Sequence, residues 1–182
     1  MRPTTPRYLS LLLICTLLFL IPSANATLPD TISKLAKDMQ TWVDKTNAWT
    51  NASSPTPCKA FVHEFIGPGK RVGITSNWIT RIAIDSPRLD RAQSSRVILE
   101  GMFPLIFSHL QFKHRVSEKT SLIKSCPGAA QEALEVIAGD AEAMSQTFAE
   151  VESKVYEIDG FWVYIIGREI AKIYREVLEA LM

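Results

Sequence analysis

From Phe161 to Met182 apolar residues recur at gaps of three and four: Val163, Ile166, Ile170, Ile173, Tyr174, Val177, Leu178 and Leu181. That spacing draws one apolar stripe along an α-helix. Arg168, Lys172, Arg175, Glu176 and Glu179 fall largely off the stripe. The first turn, Phe161 to Ile166, is apolar all round, so it is either buried on several sides or offers an aromatic patch to a partner. The same rhythm predicts three earlier helices. The first runs from about Asp30, a good N-cap, to Trp49, with Ile32, Leu35, Ala36, Met39, Trp42, Val43 and Thr46 on its face. The second begins near Pro87, capped by Asp85 or Ser86, and buries Leu89, Ala92, Leu99, Met102, Phe103, Ile106, Phe107 and Leu110. Pro104 inside it should kink or split it. The third starts near Pro127 and carries a heptad rhythm through Leu134, Ile137, Ala141, Met144, Phe148, Val151 and Val155. Asp159-Gly160 is the turn before the last helix.

Residues 50–86 read as a long connection, broken at Ser53–Pro57 and at Gly67-Pro68-Gly69. Lys59 to Ile66 suits a short helical turn presenting Phe61, Val62 and Phe65, and Val72 to Ile84, rich in β-branched residues, suits an extended segment laid across the bundle. No strand alternation is strong enough for a sheet. The expected fold is an all-α four-helix bundle with a long connection between the first and second helices.

The N-terminus changes the setting. Arg2 and Arg7 precede an apolar run from Leu11 to Ile21, and Ala24-Asn25-Ala26 offers small residues for cleavage. Residues 1–26 therefore read as a signal peptide, with a single bundle domain over 27–182 and secretion to the extracellular space. Removing 26 residues from 182 leaves 156, and losing Arg2 and Arg7 leaves 18 basic against 19 acidic residues. This balance argues against nucleic acid as a partner. Charges interrupt the only other long apolar segment, so no membrane insertion is expected after cleavage. In an oxidising compartment Cys58 and Cys126 pair by default, closing a loop of about 70 residues worth about 4 kcal/mol. Asn51-Ala52-Ser53 is a glycosylation sequon in a polar loop, with Asn51 the acceptor.

No catalytic motif appears. His63, His109 and His114 stand without HExxH or CxxC spacing, so no metal and no cofactor is expected. Gly67-Pro68-Gly69-Lys70 lacks the spacing of a phosphate loop, and no nucleophile elbow occurs. The chain reads as a non-enzyme. Trp162 is either a cap on the core or a binding anchor.

Val97-Ile98-Leu99-Glu100-Gly101-Met102-Phe103-Pro104-Leu105 resembles the second-to-third-helix signature of the interleukin-6 and granulocyte colony-stimulating factor family. Ile165 to Met182 is similar in pattern to the closing helix of interleukin-6, and Ile158–Trp162 resembles the start of the last helix in the neurotrophic members. The resemblance implies a secreted cytokine-like ligand that brings together cell-surface receptor chains. Arg168, Lys172, Arg175 and Glu179 would then make one receptor contact, and Tyr156, Phe161 and Trp162 a second. The chain departs from that family in the short link between its last two helices, which makes them antiparallel neighbours. An up-and-down secreted bundle that holds an apolar ligand between its helices, or inhibits an enzyme, is the alternative reading.

Overall fold

A computed structural model of the chain describes residues 27–50 and 57–182. The expected signal peptide and the Asn51 sequon lie outside them. Helix α1 spans Leu28–Ala48. Its cap is Thr27, one turn before the expected Asp30, and the Thr27 hydroxyl accepts from the Asp30 N–H at 3.4 Å. Every residue of its predicted stripe is buried, Trp49 included.

The connection over 50–86 is itself largely helical. Helix α2, Pro57–Phe61, continues through a π-helical stretch, Val62–Ile66, into α3, Gly67–Asp85. Val72, Thr75, Ser76, Ile79 and Ala83 are buried at gaps of three and four. Packing of that face outweighs the β-branched preference that suggested an extended segment. The all-α bundle expected from the pattern thus carries one more rod.

The third rod starts later than Pro87. Asp90 and Gln93 form a reciprocal capping box on α4, Arg91–Arg96. A π-helical stretch, Val97–Met102, joins α4 to α5, Phe103–Ser125. Pro104 lies in the first turn of α5, and the interruption predicted at this proline takes the form of the wider π turn. Leu99, Phe107 and Leu110, expected in the core, are exposed; the buried face runs through Met102, Leu105, His109, Phe112 and Val116. The rod is apolar on two sides, and the side that carries a histidine is the one turned inward.

Helix α6, Ala129–Lys154, follows Gly128, whose φ of +74° suits glycine. Helix α7, Glu157–Leu181, takes the expected Asp159-Gly160 turn into its own first turn. Ser94 holds that start: its hydroxyl donates to Asp159 Oδ2 and accepts from the Tyr156 N–H at 2.8 Å.

The rods close into a ring in the order α1, α3, α6, α7, α5. Around the ring α1–α3 and α6–α7 run antiparallel, as Lys45–Glu64 and the Gly167–Phe148 approach show, while α3–α6, α5–α7 and α1–α5 run parallel, as Lys70–Glu132, Lys113–Glu176 and Gln40–Gln111 show. Cys58 and Cys126 are bonded, with Cα atoms 5.3 Å apart, tying α2 to the α5–α6 corner. Among the described residues no helix is long and apolar enough to cross a membrane.

Candidate functional site

Halfway along the ring, polar groups from several rods meet in the core. His109 on α5 lies with Nδ1 2.8 Å from the Leu105 carbonyl and Nε2 3.2 Å from the Tyr174 hydroxyl on α7. A carbonyl only accepts, so Nδ1 carries the hydrogen and Nε2 accepts from Tyr174. Burial pushes His109 down to about 4, so the ring is neutral. Asp140 occupies the middle of the buried face of α6 against Gly73 of α3. Burial pushes its carboxyl up to about 8, against the opposing pull of the Gly73 backbone N–H. Tyr174 is raised well above its usual range, first by burial and then by the Asp140 charge. Among the described residues Asp140 Oδ2 and Trp42 Nε1 are buried without hydrogen-bond partners. At neutral pH His109 and Tyr174 are uncharged, and burial favours the protonated form of Asp140.

Outside that layer, α6 and α7 do not close completely. Small residues at gaps of four, Ala141, Ser145 and Ala149 on α6 and Gly167 and Ala171 on α7, leave an open seam of about 220 Å³. Its floor is Met144, Phe148, Val163, Ile170 and Tyr174. The backbones come close because Gly167 has no side chain: a Cβ there would stand 3.0 Å from Phe148 Cδ2. The antiparallel pairing sets Glu152 and Tyr164 at one end and Ala141 and Tyr174 at the other. Arg168 stands on the rim, its guanidinium 5.7 Å from the centre of the Tyr164 ring and Nη1 3.5 Å from the Tyr164 hydroxyl. It makes no ion pair with the described residues. The groove is thus apolar along its floor, with Arg168 and the Glu152 carboxylate, not paired to each other, on its rim.

The residues singled out from sequence divide. Phe161, Arg168, Lys172, Arg175 and Glu179 are all exposed on the outward face of α7. Tyr156 is exposed at the cap of α7. Trp162 is 43% exposed and rests edge-on against Phe103, so it is a partly covered surface residue and not a core cap. Of these residues only Arg168 lines the groove. The groove's own signal, two stripes of small residues at helical spacing, is present in the sequence but resembles ordinary helix packing there.

No protein-family model and no curated protein matches the chain. Solved structures share its fold, among them two ligand complexes. AfMp4p in complex with palmitic acid superposes with a TM-score of 0.76 at 12% identity, over 85% of this chain and 97% of that one. Ligand binding domain 1 of the Penicillium marneffei MP1 protein, complexed with arachidonic acids, gives 0.69 at 13% identity, over 84% and 97%. At such identities the likeness is one of fold.

These matches overturn the cytokine resemblance, and with it the cell-surface receptor as partner. The physical reasons are local. Val97–Leu105 is a π-helical stretch running into a proline-started helix, and no loop breaks it. The similarity of Ile165–Met182 rests on a periodicity that any amphipathic helix shares.

Proposed function

We propose that this protein is a carrier that holds the hydrocarbon chain of a fatty-acid-class ligand against the α6–α7 groove, acting by binding and without turnover. The observation that carries the reading is the groove itself: an apolar floor kept open by small side chains on both helices. The shared fold supports it, since the structures it matches hold palmitic and arachidonic acids. At about 220 Å³ the groove is smaller than the roughly 300–1,000 Å³ typical of ligand pockets, so as it stands it holds part of a hydrocarbon chain. Each Å² of apolar surface the ligand buries then returns about 25 cal/mol. With the signal predicted at 1–26, we place this carrier outside the cell.

The test is titration of the delipidated protein with palmitic acid, with stoichiometry read by native mass spectrometry. One molecule per chain is expected. Ala149→Trp, a change at an exposed position that fills the groove, should abolish binding while leaving the helical circular dichroism intact. Failure of the wild type to bind, or unaltered binding by the variant, overturns the reading.

A further inference from the structure

We propose that Arg168, steadied by Tyr164, recognises an anionic head group at the rim of the groove, so that the carrier selects acids over their neutral esters. This rests on the carrier reading and names the ligand's head. A bound amphiphile must place its polar end somewhere. The core layer offers an anion no charged partner among the described residues: His109 and Tyr174 are neutral and already bonded to each other, and the Asp140 carboxyl stands in the same layer. An unpaired carboxylate buried there would lose its hydration with no countercharge in return. At the rim the situation is reversed. Arg168 has a guanidinium with no ion-pair partner among the described residues, and it lies over the Tyr164 face, which limits its freedom. Its planar fork matches a carboxylate or a phosphate monoester, and the Tyr164 hydroxyl adds a donor beside it.

The geometry also sets the ligand's direction. The guanidinium sits toward the Tyr164 end, so the tail runs along Met144, Ile170 and Ala171 toward Tyr174. Glu152 closes the head end without pairing to Arg168 and repels an anion placed there. Its charge therefore lowers affinity for acids, which gives a second variant with the opposite sign.

The experiment compares palmitic acid with methyl palmitate, titrated into wild type, Arg168→Gln, Arg168→Lys and Glu152→Gln at two salt concentrations. Wild type should bind the acid more tightly by roughly ten- to a hundredfold, the range for a hydrogen bond to a charged group. Arg168→Gln should bring the acid-to-ester ratio down toward one, and Arg168→Lys should restore part of it. Glu152→Gln should raise the ratio. Added salt should weaken the acid preference of the wild type and leave that of Arg168→Gln flat. Equal binding of acid and ester by the wild type, or a ratio unmoved in Arg168→Gln, overturns this proposal while leaving the carrier reading intact. Binding of neither ligand overturns both.

Discussion

The Tyr174 hydroxyl donates to His109 Nε2 at 3.2 Å, joining α7 to α5 in the centre of the ring. Both residues are fully buried, so the bond has no water to replace it. Tyr174→Phe removes the donor and strands the imidazole acceptor. The expected loss is about 1–3 kcal/mol in urea unfolding, the desolvation cost of an unmade bond. An unchanged midpoint would mean that the bond contributes nothing.

His109 and Asp140 should oppose one another with pH. The His109 pKa falls from 6.5 to about 4 on folding, so between those values the unfolded chain holds the extra proton and stability drops as pH is lowered. The Asp140 pKa rises from 3.8 to about 8, so between those values the folded chain holds the extra proton and stability drops as pH is raised. The slopes cancel over about pH 4 to 6.5 and leave Asp140 acting alone from there to about 8. Stability should fall by roughly 2 kcal/mol over that upper interval, at about 1.4 kcal/mol per pH unit. Asp140→Asn should flatten it. Urea midpoints at pH 6.5 and 8 for both proteins decide the matter, and parallel curves would refute the assignment.

The α3–α6 contact depends on missing side chains. A Cβ at Gly73 would stand 2.4 Å from Asp140 Oδ1, and one at Gly69 would stand 2.6 Å from Val136 Cγ1. Gly69→Ala and Gly73→Ala should each destabilise by about 1–3 kcal/mol through overpacking. Gly139 meets nothing within 4 Å, so Gly139→Ala should instead stabilise by about 0.5–1 kcal/mol through helix propensity. Thermal melts of the three variants test the contrast directly.

The Cys58–Cys126 bond spans 68 residues and ties α2 to the end of α5. Cys58→Ser/Cys126→Ser should lose about 4 kcal/mol, most of it through a freer unfolded chain. A denaturation midpoint that responds to reductant in the wild type but not in the double variant would confirm the source.

Much of this fold was legible in the spacing of apolar residues. The faces of α1, α6 and α7 were readable because each carries a single stripe, and one stripe leaves one way to bury it. The all-α class followed from those stripes, and the cysteine pairing from the two cysteines, Cys58 and Cys126, that lie beyond the predicted signal peptide with its Cys15. Two elements were not legible. The rod over Gly67–Asp85 mixes glycine, proline and β-branched residues, whose local preferences favour turn and strand, whereas the short helical turn expected over Lys59 to Ile66 is there. Only its packing between α1 and α6 makes it helical. The rod through α5 has two apolar sides, and the ring, not the sequence, chooses the one that brings His109 to Tyr174. The groove belongs to the same class. Ala141, Ser145, Ala149, Gly167 and Ala171 are helix-compatible residues in any bundle, and an opening exists only because two such stripes face each other. Periodicity determined which residues turn inward along a single helix; tertiary packing decided which helices become neighbours, and so where small side chains leave room and where Arg168 meets its edge.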